Sequence, residues 1–256
     1  PGTTYYWQVV TTERHGLTAS GPVWRLTALP YSWQQVGAGA ATDGGISATS
    51  GDAISPTAAV APEGTLYVVW QDGSAGLPQI YARRWNGETW EEVGAGSASG
   101  GGISQSGAGA AAPALAVAPD GTPYVAWQDD ADGDAEIYVR RWNGASWEEV
   151  GAGSASGGGI SDNAGQSCHP ALAIAPDGTP YVAWHDDSDG DAEIYLRRWS
   201  GTVWEPVGGD TASGGGVSDN AGTSRRPAVA LDLFGMLDIV WQDGSSGTAQ
   251  IYARHW

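Results

Sequence analysis

Apolar and polar residues alternate along this chain in short runs, which glycine, proline, asparagine and aspartate separate. No long segment has apolar residues at positions i, i+3, i+4 and i+7, so no helix is predicted. Residues 113–118 and 122–127 are typical of two strands joined by a Pro-Asp-Gly turn. Residues 136–142 and 147–150 add two more strands around an Asn-Gly turn. This pattern predicts an antiparallel meander of four strands in an all-β protein.

The meander recurs every 57 residues without an insertion. The tryptophans that end the second strand of each repeat are Trp70, Trp127, Trp184 and Trp241. Glycine-rich loops between repeats carry one apolar residue in register, which we expect to pack against a sheet: Ile46, Ile103, Ile160 and Val217. Tandem units of this size bury their faces by stacking on one another. We therefore predict a four-bladed β-propeller over residues 30–256.

Pairing within the outer hairpins follows from charge. A four-residue loop at 143–146 sets Trp142 opposite Trp147 and Arg141 opposite Glu148. The chain ends at Trp256 on a third strand, while residues 32–36 (SWQQV) match the fourth strands of the other repeats. We therefore predict that residues 32–36 pair with residues 252–256 and close the ring, which leaves no open sheet edge.

The composition and charge of the chain argue against two classes of binding partner. The formal net charge is −18, and all eleven basic residues are arginines. Nucleic acids and anionic membranes would repel such a chain, so we expect neither as a partner. No apolar run reaches membrane-spanning length, so no membrane insertion is expected. Cys168 is the single cysteine and is expected to be an inert side chain.

Residues 124–144 and 181–201 share the run Tyr-Val-Ala-Trp, an acidic loop, and Glu-Ile-Tyr-x-Arg-Arg-Trp. In these residues the chain resembles the sialidase-like, or BNR-like, repeat propellers of bacteria over residues 31–256. The resemblance implies the propeller fold. A sialidase site would need arginines from several blades, whereas most arginines here face glutamates in outer strands. No catalytic centre is therefore predicted.

The first residues, Pro-Gly-Thr-Thr-Tyr, begin a segment that is similar to the last two strands of a fibronectin type III domain. The resemblance implies a fibronectin III-like β-hairpin over residues 1–29, with Tyr5 as its tyrosine-corner residue. Two strands cannot bury the aromatic face that contains Trp7. We therefore expect self-association or neighbouring subunits to cover it.

Two loops between second and third strands gather carboxylates at alternate positions around a glycine. They contain Asp130, Asp132, Asp134 and Glu136 in the second repeat and Asp187, Asp189, Asp191 and Glu193 in the third. Hard oxygen ligands on a tight loop suit Ca²⁺, which is the only cofactor expected. The alternative is a solvated acidic loop that keeps the surface soluble.

The positions before each first strand differ most between repeats. In a propeller these positions ring one mouth of the central channel. There, His169, His185, Arg225 and Arg226 could hold a carboxylate or a sulfate. The alternative is neutral drift at exposed positions.

These observations lead to one expected function and two alternatives. We expect a non-enzymatic extracellular or cell-surface module that scaffolds, adheres or assembles into a filament. The first alternative is a carbohydrate-binding propeller with a glycan partner, and the second is a degenerate sialidase-like glycosidase. A secreted location suits all three.

Overall fold

A computed structural model describes residues 3–12, 16–28 and 33–256 of the chain, and its described elements are all β-strands. The chain divides into two units, Pro1–Val36 and Gly37–Trp256. In the described ranges there is no helix with the length and apolar character to cross a membrane. The prediction of an all-β protein is confirmed.

The second unit contains one sheet for each 57-residue repeat. The first has β3 (Ala53–Val60), β4 (Leu66–Asp72), β5 (Gln79–Trp85) and β6 (Trp90–Glu92). The second has β7 (Ala110–Val117), β8 (Pro123–Asp129), β9 (Glu136–Trp142) and β10 (Trp147–Glu149). The third has β11 (Ser167–Ile174), β12 (Pro180–Asp186), β13 (Glu193–Trp199) and β14 (Trp204–Pro206). The fourth has three strands, β15 (Ser224–Leu231), β16 (Leu237–Asp243) and β17 (Gln250–His255).

Strand pairing in the outer hairpins has the predicted register. Trp142 lies opposite Trp147, with ring centroids 5.9 Å apart, and Arg141 lies opposite Glu148. The Arg141 Nε to Glu148 Oε1 distance is 2.9 Å, and both side chains are more than a third exposed. Such exposed pairs contribute only about 0.2–1 kcal/mol each, so they select a register more than they stabilise the fold.

The core lies between successive sheets. The first strands pack side by side in the order β3, β7, β11, β15. The Trp127 and Trp184 side chains are fully buried, each against residues of a neighbouring sheet. The loop residue Ile103 is also buried, and its N–H donates to the carbonyl oxygen of Ile80 at 2.8 Å. The predicted packing of the loop residues is therefore confirmed for Ile103, as it is for Ile160 and Val217.

The prediction that residues 32–36 close the ring is wrong. Residues 33–35 have no regular secondary structure, and the Trp33 side chain is fully exposed; Ser32 lies outside the described residues. Among the described strands, β17 pairs with β16 alone. A segment this short forms a strand only when an edge hydrogen-bonds to it, and sequence similarity to other fourth strands does not guarantee that pairing.

In the first unit, β1 (Thr3–Thr12) pairs antiparallel with β2 (Thr18–Ala28). Trp7 stacks on Trp24 with ring centroids 4.3 Å apart, and a bulge interrupts the pairing after Gln8. The hairpin over residues 1–29 is confirmed for its described part. Its membership of a fibronectin type III domain, and the domain boundary at residue 29, stay predictions.

Candidate functional site

Each first strand of the four sheets contains a bulge at the same position. It places one non-glycine residue in the left-handed region, with φ between 49° and 54°: Ser55, Ala112, His169 and Arg226. A left-handed residue costs about 1–2 kcal/mol unless it is glycine. Bulges re-aim side chains, and strained residues cluster at functional sites. The positions that the sequence predicted to ring a channel mouth therefore lie at this bulge in every sheet.

The third sheet places two histidines together at this mouth. Cys168 on β11 pairs with His185 on β12, and the bulge brings the His169 ring to 5.1 Å from the His185 ring. His185 is 8% exposed, and its Nδ1 has no hydrogen-bond partner among the residues that the structure describes. A buried polar atom without a partner is rare and calls for a functional explanation.

The electrostatics of this pair follow from burial and from the neighbouring sheet. Burial, with His169 and Arg225 acting in the same direction, lowers the pKa of His185 to about 4. Burial also lowers the pKa of His169, with Arg226 and Arg225 acting in the same direction. Both imidazoles are therefore neutral at pH 7, and each can donate and accept a hydrogen bond.

Arg225 of the fourth sheet acts electrostatically on both histidines of the third, and Arg226 acts on His169. Ligand binding by these four residues stays a prediction. The carboxylates of Asp187, Asp130 and Asp186 all act on the neighbouring Cys168 thiol. Asp187 is held in place by the backbone N–H of Gln166, which donates to its Oδ1 at 2.6 Å. Burial raises the pKa of Cys168 to about 11, so the thiol is protonated at neutral pH. We name the four cluster residues with Asp130 and Asp187 the mouth cluster.

The acidic loops differ from one another. Ligand atoms of Asp132, Asp134 and Glu136 lie within 4.8 Å of one another. In the described part of the chain, no group of three potential ligands forms in the loop 187–193. The buried Glu136 accepts hydrogen bonds from the Ser161 hydroxyl and, at 3.0 Å, from the Asn163 N–H. Burial raises its pKa to about 7. Calcium binding stays a prediction, and it would compete with these hydrogen bonds.

Sequence reasoning missed a buried aspartate at the end of each second strand. These residues are Asp72, Asp129, Asp186 and Asp243, all fully buried. Each accepts a hydrogen bond of 2.8–3.0 Å from the indole N–H of the tryptophan two residues earlier. The Trp-x-Asp spacing in all four repeats was the available signal. Because each carboxylate also accepts from the backbone N–H two residues later, these residues hold the loops that follow the second strands.

No protein-family model and no curated protein matches the sequence. Solved structures do match. The GH93 α-L-arabinofuranosidase of Fusarium graminearum, in complex with arabinobiose, has a TM-score of 0.56 at 18% identity, covering 79% of this chain and 62% of that one. The α-L-arabinanase of Penicillium chrysogenum, also with arabinobiose, has a TM-score of 0.53 at 18% identity, covering 80% and 62%. A protein of unknown function from Dyadobacter fermentans has a TM-score of 0.52 at 14% identity, covering 79% and 65%.

These matches support a β-propeller-like fold, and this chain spans under two thirds of each matched chain. The sialidase-like resemblance is thus supported only as far as the fold. The prediction of a non-enzymatic structural or adhesive module is wrong, because the neighbours with a named activity are carbohydrate-processing enzymes. They favour the carbohydrate-directed alternative.

Proposed function

We propose that this protein binds and hydrolyses a carbohydrate at the mouth cluster. The observation that carries the proposal is the exposed, strained His169 beside the buried His185, whose Nδ1 has no partner among the described residues. Sugar hydroxyls both donate and accept hydrogen bonds, and so does a neutral imidazole. Arabinose-containing glycans come first among candidates, since the fungal neighbours were solved with arabinobiose.

The charged members of the cluster suit the remaining roles. Arg225 and Arg226 can bind ring and hydroxyl oxygens, or the carboxylate of an acidic sugar, through paired N–H donors. Hydrolysis of a glycosidic bond generally needs two carboxyl groups, one as the acid and one as the nucleophile or base. Asp130 and Asp187 are our assignment for this pair, because both are exposed and act on the same thiol, whereas Asp186, which also acts on it, is fully buried.

Matched variants test the site without disturbing the fold. Ala112 occupies the same left-handed position in the second sheet that His169 occupies in the third. His169→Ala therefore introduces a residue that this position already accepts. We expect it to weaken oligosaccharide binding at least about 10-fold, the loss of one or two hydrogen bonds, with an unchanged melting temperature. Asp187→Asn should abolish release of reducing sugar. Asp189→Asn, in the same loop, is the control and should keep it.

The assay is isothermal titration with arabino- and manno-oligosaccharides, followed by detection of reducing ends. Failure of the whole panel to bind would contradict the proposal, as would binding that His169→Ala leaves unchanged. Turnover that survives Asp187→Asn would contradict only the assignment of the carboxylates. A secreted location, where polysaccharides are met, is part of the same proposal.

A further inference from the structure

The second repeat lacks a hydrogen-bond donor that the third repeat provides to its buried aspartate. In the third repeat the hydroxyl of Ser188 donates to Asp186 Oδ1 at 2.5 Å. The equivalent residue of the second repeat is Ala131, which has no hydroxyl to donate to Asp129. The other three repeats all have serine at this position: Ser74, Ser188 and Ser245. The second repeat therefore departs from the common pattern beside a fully buried carboxylate.

This departure changes the electrostatics of the two aspartates. Burial raises the pKa of Asp129. Burial acts in the same direction on Asp186, but hydrogen bonds from serine and asparagine side chains outweigh it, and the pKa of Asp186 is lowered. The asparagine is Asn163, and the second repeat has the shorter Ser106 in its place. Leaving a buried carboxylate with fewer donors costs stability, and proteins break such local rules mainly at functional sites.

The smaller side chains leave a cavity between the second sheet and the loop that precedes it. Its volume is about 240 Å³, and Asp129, Ala131 and Tyr138 line it. In the third repeat the Ser188 hydroxyl lies 3.4 Å from the Tyr195 hydroxyl, so a serine at position 131 would project between Asp129 and Tyr138. Pockets for drug-sized ligands measure about 300–1,000 Å³. This cavity therefore has room for one sugar-sized ring and not for an oligosaccharide.

The remaining walls of the cavity contain charges of both signs. Asp132 is exposed, and Arg140 is half-buried. Arg140 Nη1 donates to the carbonyl oxygen of Ile103 at 2.7 Å, and this guanidinium forms no ion pair within the part of the chain that the structure describes. The amide of Gln105 adds donors and an acceptor.

This lining favours an uncharged ligand that both donates and accepts hydrogen bonds. An anion would meet the carboxylates of Asp129 and Asp132, and a cation would meet the guanidinium of Arg140. A hydroxyl group can accept from a guanidinium and donate to a carboxylate. Two adjacent hydroxyls on one ring can do both at once, and a neutral sugar provides them.

We propose that this cavity binds one neutral sugar residue, whose adjacent hydroxyls accept from Arg140 and donate to Asp132. Ser106 and Ala131 determine the specificity of the second repeat, because they leave the space that the sugar ring occupies. None of the mouth-cluster residues lines this cavity, so the site does not depend on the proposed hydrolysis. Two sites on one chain raise the avidity for a polysaccharide that reaches both.

An NMR titration of the full chain with monosaccharides tests this site. The indole N–H of Trp127 donates to Asp129 at 2.9 Å, so its resonance reports on the cavity. The probes are D-glucose, D-galactose, D-mannose and L-arabinose, with a chelator present to exclude metal ions. At least one of these neutral sugars should shift the indole resonance in a saturable way.

Variants taken from the third repeat separate binding from folding. Ser106→Asn and Ala131→Ser introduce the side chains that the third repeat has at the same positions. Each fills part of the cavity and adds a donor to Asp129, so each should weaken binding at least about 10-fold without lowering the melting temperature. Ala145→Ser adds the same hydroxyl on an exposed turn outside the cavity, and it should bind like the parent.

Three results would overturn the proposal. The first is that no neutral sugar of the panel shifts the indole resonance. The second is binding that Ser106→Asn and Ala131→Ser leave as strong as in the control. The third is tighter binding of D-glucuronate or D-glucosamine than of any neutral sugar, which would assign the cavity to an ion. Each result leaves the mouth cluster untouched, because oligosaccharides and the Asp187→Asn variant test that site separately.

Discussion

Replacing Glu136 by glutamine should stabilise the protein at neutral and alkaline pH. Burial raises the pKa of Glu136 from 4.5 to about 7, so its carboxylate is costly to ionise in the folded state. A shift of this size corresponds to about 3 kcal/mol. Because the folded state holds the proton more tightly, this contribution to stability is present below pH 4.5 and is lost as the pH rises through 7. An amide at this position has no such proton to lose.

The first repeat provides the matched comparison, because Gln79 occupies the equivalent position. Its Oε1 accepts from the Ser104 hydroxyl at 2.8 Å and from the Ser106 N–H at 2.9 Å, and its Nε2 donates to the Ser106 carbonyl at 2.9 Å. A glutamine at position 136 can form the same three hydrogen bonds. Glu136→Gln should thus be more stable by up to about 3 kcal/mol at pH 8 and equal to the parent at pH 4.5.

Urea unfolding between pH 4.5 and 8, with a chelator present to remove metal ions, measures this difference. Gln79→Glu is the reciprocal variant and should lose stability as the pH rises. A Glu136→Gln protein no more stable than the parent at pH 8 would refute the reasoning, since it would mean that the carboxylate is well solvated or well paired when ionised.

Three further predictions concern other parts of the fold. Burial lowers the pKa of His185 from 6.5 to about 4, so the parent should lose up to about 3 kcal/mol as the pH falls from 6.5 to 4. His185→Gln, which copies the Gln128 of the second repeat, should remove that loss in the same unfolding assay. Gly151→Ala should destabilise the protein by at least about 2 kcal/mol more than Gly153→Ala, as measured by thermal unfolding. Both glycines have φ near +86°, but only at position 151 would the methyl group overlap Trp199. If Ca²⁺ binds near Asp132 and Asp134, it should raise the melting temperature in calorimetry, and Asp134→Asn should remove the effect.

Much of the fold could be predicted because the same pattern of strands and turns occurs in all four repeats. The Trp142–Trp147 and Arg141–Glu148 pairs fixed the register of an outer hairpin, which depends only on neighbouring strands. The closing strand at 32–36 was mispredicted because its partner lies more than 200 residues away. A local sequence pattern does not decide which edge so distant in the chain pairs with it.

The sequence predicted the location of the candidate site better than the chemical state of its residues. Variation between repeats singled out His169 and Arg226, and both side chains are exposed at the bulge, so core packing does not constrain them. The neutrality of His185 and the unpartnered state of its Nδ1 depend on burial, which no spacing in the sequence reports. An acidic loop is visible as a run of carboxylates in the sequence, whereas the histidine pair forms only when the chain folds.

The central claim is that a carbohydrate binds and reacts at the mouth cluster, and a crystal structure with a bound oligosaccharide tests it most directly. We expect sugar density between the third and fourth sheets, with a hydroxyl within hydrogen-bond distance of the exposed His169 ring and with Arg226 against the sugar. Sugar bound only elsewhere, for example on the exposed Trp7 and Trp24 of the hairpin, with the two histidines uncontacted, would contradict it.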